Sequence, residues 1–119
     1  MLRILSFTKT GIELNEKLCK KLNNDSYAGY APKRILGRNE ELDPLPENIP
    51  EWIQEYWGVD DFLFIGAAGI AVRMIAPSVK DKYTDSAVLV MDEKAQHIIP
   101  LLSGHMGGAI PLAEQIADI

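Results

Sequence analysis

Apolar and polar positions alternate in two rhythms along this chain, one of period two and one near period four. Leu2, Ile4 and their neighbours Arg3 and Leu5 open a short, mostly apolar segment ending near Phe7, which predicts a strand buried on at least one face. Thr8 to Gly11 breaks it. From Ile12 to Leu22 the leucines Leu14, Leu18 and Leu22 recur every four positions, while Glu13, Lys17, Lys20 and Lys21 fill the other sides. That spacing predicts a surface helix, ended by Asn23-Asn24-Asp25. Tyr27 to Tyr30 suits a second short strand. Ala31 to Pro50 then gathers four prolines and little periodicity, so it is expected to be the loosest part of the chain. A helix is expected over Glu51 to Trp57, with Trp52, Ile53, Tyr56 and Trp57 sharing one face and Gly58 placed to stop it. Both tryptophans read as core anchors.

The burst Phe62-Leu63-Phe64-Ile65, bounded by Asp60-Asp61 and Gly66, predicts a strand buried on both faces, as in a parallel sheet covered by helices. Gly66-Ala67-Ala68-Gly69 turns the chain into a helix expected to reach Ala76, before Pro77. Ala87 to Met91 and His97 to Leu102 read as further strands, with Asp92-Glu93 closing a turn between them. Ala109 to Ile119 is helical in period, and no glycine, asparagine or proline finishes it, so a longer protein or a disordered end is expected. Strand and helix alternate through most of the chain. The fold class this implies is α/β, a three-layer sandwich with a mainly parallel sheet and helices on both faces.

A length of 119 residues suits one α/β domain over 1–119. No apolar run is long enough to cross a bilayer, and MLRILSFTKT lacks the apolar core and cleavage site of a signal peptide. Cys19 is the one cysteine, which leaves no disulfide framework and makes a reducing, cytoplasmic setting the expectation. The net charge of −5 argues against nucleic acid as a partner, because phosphate binding needs a basic face. No membrane partner is expected either.

The chemistry concentrates in two glycine turns. In FIGAAGIAVR, Gly66 and Gly69 let the backbone approach a ligand, and the following helix exposes unpaired N–H groups that suit a carboxylate, phosphate or oxyanion. Tight helix-on-strand packing explains the same small residues, and no third glycine or Gly-Lys-Ser/Thr sharpens the choice. Arg73, one turn on from Gly69, either snorkels from an apolar face or serves an acidic ligand. LLSGHMGGA repeats the arrangement with Ser103, Gly104, His105, Gly107 and Gly108. If the last strand is parallel to its neighbours, both turns lie at the carboxyl ends of strands, where open α/β sheets bind ligands. His105 then faces a cleft and exchanges protons with a substrate; satisfaction of its ring by loop carbonyls is the plain alternative. Ser103 lacks the Gly-x-Ser-x-Gly elbow and reads as a hydrogen-bonding or turn residue rather than a nucleophile. Asp85, Asp92 and Glu93 are solvated turn acids or supporting acids of a site. One histidine with scattered acids gives no metal-ligand spacing, and no dedicated metal site is expected.

FIGAAGIAVRMIAP, KDKYTDSAVLVMDE and IIPLLSGHMGGA, taken together in this order, resemble the N-terminal region of the cobalt-precorrin-5A hydrolases of anaerobic cobalamin biosynthesis. The resemblance covers residues 62 to about 117, the motif-bearing part, while 1–61 corresponds to a more variable opening. It implies that the full enzyme opens the ring-A δ-lactone of a cobalt corrinoid and releases acetaldehyde. Cobalt arrives within the substrate, so no cofactor is implied. Members are usually longer, with a C-terminal domain, and a homo-oligomer is a further possible assembly. On this reading His105 carries proton transfer, the amides of Gly66, Ala67 and Gly69 and of Gly104 to Gly108 bind an oxyanion or carboxylates, and Arg73 binds acidic side chains of the macrocycle. Two other readings stand beside it: a non-catalytic corrinoid-binding module that orients substrate for a missing domain, and an acyl or phosphate ester hydrolase using the same turns.

Overall fold

The computed structural model describes residues 1–22, 26–37, 41–103 and 108–117. Six strands form one sheet in the order β3-β2-β1-β4-β5-β6. The two central strands, β1 (Leu2–Ser6) and β4 (Asp61–Ile65), are largely buried and pair in parallel, Leu2 beside Asp61 through Ser6 beside Ile65. β2 (Tyr27–Pro32) and β3 (Asp43–Leu45) extend the sheet in parallel on one side, and β5 (Ala87–Met91) pairs in parallel with β4 on the other. The outermost strands each contain a proline, Pro44 in β3 and Pro100 in β6 (Ile98–Ser103), whose missing N–H blunts an exposed edge against further pairing.

Strand alternation sorts the core into two faces. Ile4, Leu63, Ile65, Leu89 and Met91 point to the side covered by α1 (Lys9–Leu22) and α5 (Ala109–Ala117), meeting Leu18, Ala113 and Ile116. Leu5, Phe62, Phe64, Val88 and Val90 point to the side covered by α3 (Ile49–Tyr56) and α4 (Ala68–Ile75), meeting Ile53, Ala71 and Ile75. The sandwich of a mostly parallel sheet between helices is therefore as the periodicity predicts. Trp52 and Trp57 anchor the second face, Trp57 stacked on Phe62 at 5.9 Å between ring centroids. The stretch expected to be loose holds a short helix, α2 (Lys33–Leu36), and β3; Ile35, Leu36 and Leu42 pack on Ile12 and Ala31, an isolated apolar patch too short to show a period.

One expectation fails, and it matters for the site. β6 runs antiparallel to β5, with Met91 beside Ile98 and Ala87 beside Ser103. Only Asp92 to His97 join the two strands, whereas a parallel crossover needs a dozen or more residues. The turn is built on Asp92, whose carboxylate accepts the N–H groups of His97 (2.6 Å), Gln96 (2.9 Å) and Lys94 (3.3 Å), and on Ala95 at φ 56°.

Candidate functional site

The chain leaves β1 for one side of the sheet and β4 for the other, so the strand order reverses between them, and the carboxyl ends of β1 and β4 flank the crevice where such sheets bind ligands. Thr8 follows β1 there. Its hydroxyl accepts the Gly11 N–H at 3.0 Å, capping α1, and donates to Oε1 of Glu93 on the β5–β6 turn. Gly66 follows β4 at φ 141°, a conformation that favours glycine, and its N–H donates to the Met91 carbonyl at 2.9 Å. Ala67 then caps α4 with no side chain to occupy the first-turn amides, and Ala67, Ala68 and Gly69 are exposed. These pieces enclose an open cleft of about 440 Å³ lined by Thr10, Gly66, Ala67, Asp92, Glu93 and Lys94.

Electrostatics divides the two acids. The N–H of His97 above all, with those of Gln96 and Lys94, holds the Asp92 carboxyl below the usual carboxylate range. Asp92 is thus an ionised structural acid whose oxygens serve the turn. Glu93 is tethered through one oxygen by Thr8.

Of the residues singled out in the sequence, the structure brings Gly66, Ala67, Asp92 and Glu93 together. Gly69 lies next to them in the first turn of α4, exposed. Arg73 sits a turn further along α4, which runs back toward the amino ends of the strands, and its side chain is exposed. Asp85 belongs to that opposite edge. It is buried and accepts Trp57 Nε1 at 2.9 Å and the Lys80 N–H at 3.0 Å, joining the end of α3 to the start of β5.

Ser103, which leads into the second glycine turn, does not share the rim of the first. Because β6 is antiparallel, Ser103 ends beside Ala87 at the amino end of β5, whereas Gly66 bonds to Met91 at the carboxyl end. Four residue steps of strand separate those positions, about 13 Å at ~3.3 Å per residue. Gly108 precedes α5, which returns to the carboxyl edge, where Ile116 and Ala117 reach Met91 and Ile98. Gly104, His105 and Gly107 lie outside the described residues. Among the described residues the histidine at the carboxyl rim is His97, just before β6. Thr8, Thr10 and Lys94 were likewise not singled out, and the signal that locates Lys94 and His97 is the short Asp92 to His97 connection. Among the described residues no three or more His, Cys, Asp or Glu side chains gather as a metal site, and no helix is long and apolar enough to cross a membrane.

Comparison with known proteins places the motif-bearing half. A family model described as cobalamin synthesis G N-terminal matches residues 51–119. A cobalt-precorrin-5A hydrolase from Salmonella typhimurium is 60% identical over 57 residues, 48% of this chain and 16% of that protein. One from Priestia megaterium is 34% identical over 120 residues, covering 96% of this chain and 31% of that protein. A protein named probable cobalt-precorrin-5A hydrolase from Methanocaldococcus jannaschii is 38% identical over 119 residues, covering 99% of this chain and 32% of that protein. The chain spans a third or less of the length of these relatives. A crystal structure of a cobalamin biosynthesis protein G homologue from Sulfolobus solfataricus shares the fold, with TM-score 0.68 and 24% identity over 98% of this chain and 33% of that one.

Proposed function

The chain belongs to the cobalamin synthesis G N-terminal family, and from that premise we propose that it serves cobalamin biosynthesis as the N-terminal region of a cobalt-precorrin-5A hydrolase. The observation that carries this reading is the family match over residues 51–119, which takes in both glycine turns. The relatives' name favours hydrolysis over simple corrinoid binding. The substrate is a cobalt corrinoid, whose ring-A δ-lactone is opened with release of acetaldehyde, and the cobalt travels with the substrate. We place the reaction in the cytoplasm, with the remaining length of the relatives supplying further parts of the enzyme.

Lactone opening needs a water deprotonated by a base and N–H donors for the developing oxyanion; departure of acetaldehyde needs a further proton transfer. The carboxyl rim supports these requirements with two kinds of group. The free amides of Ala67, Ala68 and Gly69 at the start of α4 suit a carboxylate or an oxyanion. Glu93, positioned by the Thr8 hydroxyl, suits a general base facing the same cleft. Arg73 is exposed beyond that turn, where it suits a peripheral carboxylate of a large ligand. A competing assignment gives proton transfer to His105, favoured by its place between glycines inside the matched segment. Ser103, two residues before it, ends β6 beside Ala87 rather than at that rim, and the two assignments are kept apart.

Two variants of the full-length enzyme separate these assignments, read by acetaldehyde release. Glu93→Gln is expected to lose about 10²- to 10⁴-fold in kcat, the usual worth of a general base, with His105→Ala retaining activity. A loss of that size in His105→Ala alone gives the proton transfer to His105 instead.

A further inference from the structure

We infer that the groove between α1, α5 and the β5–β6 turn seats the ring of a carboxylate-bearing corrinoid, with Lys17, Lys21 and His97 meeting its carboxylates; this rests on the corrinoid reading above. The groove has a volume of about 340 Å³. Its floor is apolar: Leu14 and Leu18 from α1, Met91 and Ile98 from the sheet, Ile116 from α5. Its rim is cationic. Lys17 and Lys21 stand four apart on α1, hence on one helix face beside Leu14 and Leu18, and His97 faces them from just before β6. Among the described residues no aspartate or glutamate lines it, in a chain with 17 acids against 12 lysines and arginines. An apolar trough in an acidic protein, with lysines along its edge and no acid among its described lining residues, is complementary to a ligand of apolar body and anionic periphery.

The groove is also continuous with the rim at Gly66. It shares Leu14, Lys17 and Ala95 with a neighbouring cleft of about 430 Å³, which in turn shares Thr10, Glu93 and Lys94 with the cleft at Gly66 and Ala67. A large flat ligand seated in the groove therefore reaches along the β5–β6 turn toward Glu93. The middle of this path mixes Glu13, Glu16 and Glu93 with lysines, so the carboxylates belong at the groove end, whose described lining holds lysines and no acid.

The test is a spectrophotometric titration of the 119-residue chain with two probes: a cobalt corrinoid whose acetate and propionate side chains are free acids, and the same ring with those groups as primary amides. The acid ring is expected to bind more tightly. Lys17→Gln combined with Lys21→Gln is expected to weaken it about three- to tenfold, two partly exposed charge pairs' worth, and to leave the amide ring within about twofold. Ile116→Asp, which places an acid on the floor, is expected to weaken both rings, and His97→Gln only the acid ring. Unchanged affinity for the acid ring in the lysine variant overturns the inference, as does failure of either ring to bind. The functional reading is judged separately, by acetaldehyde release from the full-length enzyme: if the lysine variant hydrolyses normally there, the hydrolase stands and the groove falls.

Discussion

Gly66 and Gly69 look alike in the sequence and carry different physical demands. At Gly66 the backbone stands at φ 141°, where L side chains are strained, although no atom lies within 4 Å of an added Cβ. The cost of Gly66→Ala is therefore conformational, about 1–3 kcal/mol. Gly69 has no such φ and the same open space, so Gly69→Ala is expected to be neutral or to stabilise by up to about 1 kcal/mol. Urea denaturation of the two variants checks the contrast; equal stabilities would remove the strain argument. Gly29 shows a third demand, since a Cβ there would stand 2.4 Å from Leu42 Cδ2 and 2.6 Å from Asn15 Oδ1. Asn15 is wholly buried and donates to the carbonyls of Ile4 and Tyr30, stitching α1 onto β1 and β2. Beside it, burial pushes the Cys19 thiol up to about 11, with the Glu41 charge adding to the rise. At pH 8 the folded thiol is then about 100-fold less ionised than one at its ordinary value of 9.0, and alkylation by iodoacetamide is expected to slow by about that factor against the urea-unfolded chain.

The β5–β6 turn is the element on which the site depends. Three backbone N–H groups bind the ionised Asp92, first among them that of His97, and these bonds vanish on unfolding, so its carboxyl is depressed in the folded state only. A depressed carboxyl contributes stability that is present above the unfolded pKa and is lost as pH falls through the folded one. Thermal unfolding followed from neutral to acid pH is expected to show this loss in the parent and a flatter profile in Asp92→Asn; parallel profiles would refute it. The same turn marks what sequence periodicity can and cannot carry. Strands β1, β4 and β5 and helices α1, α3 and α4 were legible because burial on one or two faces writes a period into the residues. Strand direction writes none: Ile98 to Leu102 reads the same whichever way it runs. Direction was nevertheless legible in the connection, whose six residues suffice for a hairpin and not for a crossover. Missing that signal put Ser103 at the wrong edge and left His97 and Lys94 out of the site. The cleft pieces Gly66, Ala67 and Glu93 were legible because a glycine turn after a buried strand, and an acid just after the next one, fall at the same edge of any parallel pair.

For the whole molecule, the sheet acts as a spacer that keeps Ala67, in the first glycine turn, apart from Ser103, which leads into the second. Ala67 opens α4 at the carboxyl edge, and Ser103 closes β6 at the other, about 13 Å away along β5 at ~3.3 Å per residue. Groups that act on one reacting centre couple by about 0.5–3 kcal/mol, whereas sites beyond roughly 7–10 Å without shared partners add to within about 0.5 kcal/mol. A double-mutant cycle on Ala67→Asp and Ser103→Ala in the full-length enzyme, read as kcat/KM for acetaldehyde release, is therefore expected to be additive. The cycle discriminates better than either single variant, because each variant alone loses activity through substrate positioning as readily as through chemistry. Strong coupling would mean that Ala67 and Ser103 serve one substrate despite the antiparallel strand between them. Within a single copy of this fold the two residues stand at opposite edges of the sheet, so such a result would require a second copy, or the remainder of the longer enzyme, to bring one edge to the other.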